Sequence, residues 1–239
     1  MWTPDGKRLI YVSGTVGNPS GTLAAVAADG SGQPVTLMGE GLGPVPTSVS
    51  PDGKLVMGVR SSLASAAMSA VPTGREVWVL PLDGAEKEAK PQPVPSLFLD
   101  ARFSRGGFQF SPDGKWVAYE SNETGRNEVY VVPYPGPGGK SQVSTDGGTQ
   151  PRWNHNGREL FFRSGDKMMA VDVETGAAFR PGFAHMLFEK IASDYDVTPD
   201  GRRFLMLKPA AAGPGGSGSE LHVILNWFEE LRRKVPFGK

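Results

Sequence analysis

Short apolar runs recur along the chain, each directly behind a polar corner. They occupy residues 9–12, 55–57, 116–119, 160–162 and 204–207. Runs of this length, rich in aromatic and β-branched residues and bounded by turn residues, predict strands. Their near-continuous apolarity predicts burial of both faces, as in the middle of a blade packed between two others. A second set follows at similar offsets, at 23–26, 77–80, 129–132, 168–171 and 221–225. Most of these reach a glycine turn and then a weaker outer strand, such as 34–37 or 141–144. A shorter strand precedes each corner, as at 151–153 and 195–197. Each repeat is thus predicted to hold four strands.

The corners are copies of one motif: "TPDGKRLIYVS" from Thr3, "SPDGKLVMGVR" from Ser50, "SPDGKWVAYES" from Ser111, "NHNGRELFFRS" from Asn154 and "TPDGRRFLMLK" from Thr198. They align without gaps on the structural turn residues Asp5, Asp52, Asp113, Asn156 and Asp200, spaced 47, 61, 43 and 44 residues apart. Proline presets the first central dihedral of a turn, Asp or Asn bonds its own backbone, and glycine accepts positive φ. In "NHNG" neither the Ser/Thr nor the Pro-Asp is kept. The shared property is a turn, so no catalytic serine is expected at Ser111 or its counterparts. Trp2, Val49, Phe110, Trp153 and Val197 hold one position, three before each anchor, and read as a packing layer between blades.

A strand-rich unit repeated at this period predicts an all-β fold, a β-propeller of four-stranded blades. The five repeats span about 1–38, 45–97, 103–145, 149–189 and 193–228 as a single domain, with a short C-terminal helix at about 227–235. The first repeat has almost no leading strand. An N-terminally truncated six- or seven-bladed ring is therefore expected, and with it self-association through an uncovered blade face. Residues 61–72 and 84–109 lengthen the second repeat and read as loops, as does the glycine-rich stretch 210–220.

Composition narrows the function classes. The 32 glycines and 21 prolines suit many short strands joined by turns. Twenty-five basic and 25 acidic residues give no basic surplus for nucleic acid. With no cysteine, disulfides and thiolate metal sites are excluded. No apolar run approaches the ~20 residues of a membrane-spanning helix.

The remaining chemical motifs are weak. "YPGPGGKS" at 134–141 ends like a phosphate-binding loop but lacks its first glycine, and sits in a hairpin rather than before a helix. "GEGLGP" at 39–44 reads as a connection between blades. No G-x-S-x-G exists, and His155, His185 and His222 do not share a metal-binding spacing. Asp194 and Asp196 offer carboxylates to calcium without nameable further ligands, so no metal, cofactor or catalytic residue is expected. The run 229–234 reads as the solvated face of the final helix. The loops before the inner strands nominate Arg102, Arg105, Gln150, Arg152, Asp194 and Tyr195 as lining a ligand-binding channel mouth. Arginine and tyrosine combine contact area with directional hydrogen bonds.

"WTPDG" at 2–6, "FSPDG" at 110–114 and "WNHNG" at 153–157 resemble the mark of the TolB-type, WD-repeat-like propeller family. The closing segment "ELHVILNWFEELRRKVP" and the stretch 127–162 resemble the propellers attached to bacterial serine/threonine protein kinases. That resemblance implies a non-catalytic sensor or interaction domain on the periplasmic side of a bacterial inner membrane. Its ligand would be a protein, peptide or small molecule. No kinase motif is present in the chain itself. Two other settings are open: the propeller cap of a prolyl oligopeptidase-like serine peptidase, and a free-standing TolB-like periplasmic scaffold.

Overall fold

Four of the five corners close by the same set of bonds. At the third, Ser111 Oγ donates to Asp113 Oδ1 (2.5 Å), while the Lys115 N–H donates to the same carboxylate (3.1 Å) and the Trp116 N–H to Ser111 Oγ (3.0 Å). Gly114 completes the turn at φ 71°, a conformation that disfavours any residue with a Cβ. Thr3–Asp5, Ser50–Asp52 and Thr198–Asp200 repeat the pattern. The hydroxyl bond holds the Asp5, Asp52 and Asp200 carboxyls below the usual range. In the fourth copy Asn154 stands in the serine position and donates to Glu159 Oε2 (2.6 Å).

The structure is a computed structural model that describes residues 1–13, 21–38, 45–61, 75–82, 96–99, 105–136, 138–189 and 194–207. All of these belong to one unit, Met1–Lys208. The expected strand at 221–225, the C-terminal helix, the 210–220 loop and Arg102 lie outside the described residues.

Strands follow in order around five antiparallel blades. Blade 1 holds β1 (Arg8–Ser13), β2 (Thr22–Ala27) and β3 (Val35–Met38), with the inner position reduced to a bridge between Trp2 and Leu9. Blade 2 holds β4 (Val45–Val49), β5 (Leu55–Ser61), β6 (Arg75–Pro81) and β7 (Ser96–Leu99). Blade 3 holds β8 (Arg105–Phe110), β9 (Trp116–Ser121), β10 (Glu128–Pro133) and β11 (Ser141–Gln142). Blade 4 holds β12 (Thr149–Trp153), β13 (Glu159–Ser164) and β14 (Lys167–Thr175), with β15 (Phe179–Pro181) and β16 (His185–Glu189) both paired to β14. Blade 5 holds β17 (Asp194–Val197) and β18 (Phe204–Leu207).

Two details differ from the sequence reading. The stretch 84–109 contains β7 and β8, so it is not loop throughout. Blade 4 has five strands because β14 is nine residues long and pairs a different partner along each half.

The core lies between blades. Successive residues of a strand face opposite sides, so each middle strand serves two neighbours. Trp116 and Ala118 pack with Trp153, Leu160 and Phe162 of blade 4, whereas Val117 and Tyr119 pack with Met57, Val77 and Val79 of blade 2. Ile10, Leu23 and Leu37 meet Val56 and Leu80 across the first seam. Phe161, Met168 and Ala170 meet Tyr195 and Val197 across the last. Among the described residues no packing cluster joins blade 5 to blade 1, and no closed ring is formed.

Side-chain bonds reinforce the seams. Gln109 Nε2 donates to Thr47 O (3.1 Å) and the Phe110 N–H to Ser48 Oγ (3.1 Å). Trp153 Nε1 donates to Gln109 O (3.2 Å), and Tyr195 OH to Gln150 O (2.8 Å). Tyr195 is only 3% exposed. Burial pushes its phenol well above the usual tyrosine range, although Arg152 pulls the other way.

Three predictions follow from these contacts. Trp153→Ala should cost roughly 3–5 kcal/mol, the range for large-to-small changes in a core, seen as a lower denaturant midpoint. Tyr195→Phe should cost about 1 kcal/mol at neutral pH, by leaving the Gln150 carbonyl without its donor. The raised phenol contributes stability below the unfolded tyrosine value of about 10, and that contribution fades as the unfolded chain ionises above it. Unfolding at stepped alkaline pH should therefore decline less steeply in Tyr195→Phe. Finally, Leu205 and Leu207, 69% and 57% exposed, face away from blade 4. Sedimentation should show self-association of the chain that the pair Leu205→Lys and Leu207→Lys reduces without lowering the unfolding midpoint.

Candidate functional site

The inner strands do not run straight. The pairing register shifts between Pro46 and Ser48 in β4, between Gly106 and Gln109 in β8, and between Thr149 and Arg152 in β12. Each shift lies just ahead of the residue four before an anchor. A bulge bends a strand and re-aims the side chain that follows, and here Ser48, Gln109 and Arg152 all come to line one central depression.

That depression has a volume of about 870 Å³ and takes residues from all five blades at equivalent positions. One tier comes from the corners themselves: Pro4, Pro51, Pro112, His155 and Pro199. A second is the layer of Trp2, Val49, Phe110, Trp153 and Val197. Phe110, Trp153 and Val197 of this layer are buried in the seams, whereas Trp2 is 59% exposed. Val49 is partly buried against the first seam, so the layer serves packing in four blades and offers open aromatic surface in the first.

The sequence candidates separate. Arg152, Asp194 and Tyr195 all line the depression. Arg152 Nη2 lies 3.7 Å from Asp194 Oδ1, and the guanidinium sits 5.8 Å from the centre of the Tyr195 ring. A partly exposed ion pair of this kind adds little stability, but it orients the arginine. Tyr195 meets blade 4 with most of its surface and positions Gln150. Gln150 itself is absent from the lining. It holds φ at 53°, a left-handed conformation rare outside glycine, fixed by its N–H bond to Glu120 Oε2 (2.7 Å) and its carbonyl bond from Tyr195. Arg105 opens β8. Sequence reasoning did not nominate Asp196, Leu205, Leu207 or the corner tier as lining. The corner tier was visible as the position before each anchor, which is proline in four copies and His155 in one.

Ser111 also borders the depression, but its hydroxyl is engaged by Asp113 and the Trp116 N–H. Among the described residues, no group of three or more His, Asp or Glu side chains converges as a metal site would require.

No family model matches the chain, and no curated protein matches it. Several solved structures share its fold. TolB from Acinetobacter baumannii superposes with a TM-score of 0.59 at 18% identity, over 85% of this chain and 46% of that one. The putative TolB from Agrobacterium tumefaciens gives 0.56 at 17% identity, over 77% and 64%. An oligogalacturonate lyase in complex with manganese gives 0.56 at 14% identity, over 84% and 55%. The chain therefore spans less than two thirds of the length of each of these proteins. At such identities the likeness is one of fold, and the fold is that of a TolB-type β-propeller.

Proposed function

We propose that this chain is a non-catalytic binding module that holds a protein or peptide segment, or a small ligand, in its central depression. The observation that carries the reading is the depression itself, where equivalent positions of all five blades meet. One ligand there touches several blades at once, on walls tied together by backbone and side-chain bonds, so little order is lost on binding. A fold does not decide between binding and catalysis, since the same architecture serves a lyase. What favours binding is that Ser111 is held in a turn bond shared by three other corners, while Ser48 Oγ receives the Phe110 N–H.

In its larger setting, the module is the sensor or interaction domain of a bacterial serine/threonine protein kinase, working on the extracytoplasmic side of the inner membrane. The resemblance of residues 127–162 and 220–236 supports this placement. The TolB-like fold equally suits a free-standing scaffold. A protein-kinase domain encoded in the same reading frame would select the first, and its absence from the full gene the second.

Calorimetric screening of peptides and of cell-wall and carbohydrate fragments tests the binding reading. A ligand should emerge whose affinity falls at least about fivefold in both Trp2→Ala and Arg152→Ala, the scale of a contact worth about 1 kcal/mol. Binding that survives both changes would move the function to another face. Phosphotransfer or hydrolysis by the purified chain would overturn the non-catalytic reading.

A further inference from the structure

The polar groups around the depression are engaged unequally. Thr47 donates its hydroxyl to Met57 O (3.2 Å) and lends its carbonyl to the Gln109 amide (3.1 Å). The Trp153 indole N–H, the Ser111 hydroxyl and the Tyr195 hydroxyl all donate within the protein. Arg152 is held by Pro151 O (3.1 Å) and by Asp194. Apart from these donors, the depression offers the Trp2 indole N–H, the Ser48 hydroxyl and the His155 ring at the corner tier.

Of the two carboxylates, Asp194 is engaged by Arg152 and by the Tyr195 N–H (2.8 Å), and Asp196 is the less engaged. Asp196 receives one bond, from the Val197 N–H to Oδ1 (2.8 Å), and no ion pair engages it among the described residues. Asp194 and Asp196 share one face of β17, and their cross-strand partners on β18 are Leu207 and Leu205. All four line the depression, and both leucines are more than half exposed. A carboxylate beside exposed aliphatic surface complements a side chain with a long apolar stem and a cationic tip. The open ring of Trp2 adds a face that attracts cations. An aliphatic or anionic side chain would meet the carboxylates with nothing to donate.

We propose that the depression selects a peptide segment bearing lysine or arginine, with Asp196 receiving the cation and Leu205 and Leu207 its stem. This rests on the reading of the depression as the ligand site and specifies what it takes. The probes are three capped pentapeptides that differ only at a central residue, which is lysine, norleucine or glutamate, titrated calorimetrically into the full chain. The lysine peptide should bind at least about tenfold more tightly than the norleucine peptide, the scale of one hydrogen bond to a charged group, with the glutamate peptide weakest. Asp196→Asn keeps the acceptor for the Val197 N–H and should abolish most of that preference. It should leave the unfolding midpoint unchanged.

Equal binding of lysine and norleucine peptides, or a lysine preference that persists in both Asp196→Asn and Asp194→Asn, would overturn the inference. If those peptides still lose affinity in Trp2→Ala, the depression stands as the site and only the cation selectivity falls. If none binds, or binding ignores Trp2→Ala and Arg152→Ala, the depression fails as well.

Discussion

Everything in this molecule depends on a strand having two faces and on both being apolar. In β9, Trp116, Val117, Ala118 and Tyr119 are all buried. No isolated sheet could bury them, because one face would always be open to water. The strand is stable only between two other blades, and each of those inherits the same requirement. Turn-bounded repeats then have to be stacked face to face in sequence order, as repeat architectures do when no single unit can cover its own apolar surface.

This stacking brings the inner strands side by side, and the bonds between them fix their spacing. Gln109 reaches back to blade 2, Trp153 to blade 3 and Tyr195 to blade 4. The walls of the depression are therefore made by the same contacts that hold the fold. Along β17 the buried and the open face alternate: Tyr195 and Val197 are buried against blade 4, while Asp194 and Asp196 face away from it.

The parts of this arrangement that are local could be read from the sequence. A corner needs a hydroxyl or amide, then an acidic or amide side chain and a glycine, and its five copies announced both the strands and the architecture. What could not be read joins distant positions. The Glu120 carboxylate that holds the Gln150 N–H is 30 residues away, and the Gln109 amide reaches a carbonyl 62 residues back. β7 was hidden because it is short, with two of its four residues exposed, inside a polar insertion. Tyr195 is nominated as a contact residue by its place ahead of an inner strand and by its type. Strict alternation with its two aspartate neighbours carried the information that it faces the other way.

The corners also touch one another across the seams. A Cβ on Gly53 would meet Pro4 at 3.9 Å, one on Gly114 would meet Pro51 at 3.5 Å, and one on Gly201 would collide with the Asn154 amide. The same position on Gly157 meets nothing within 4 Å. Three of the four seams therefore carry a small address, and the one between blades 3 and 4 carries none. Blades 1 and 2 present the proline that the next glycine accepts, and are interchangeable in that respect. The asparagine of blade 4 is read only by blade 5. A gene assembled by shuffling these repeats would keep this contact on exchange of the first two and lose it at the fourth, so the irregular corner marks one fixed point in the order.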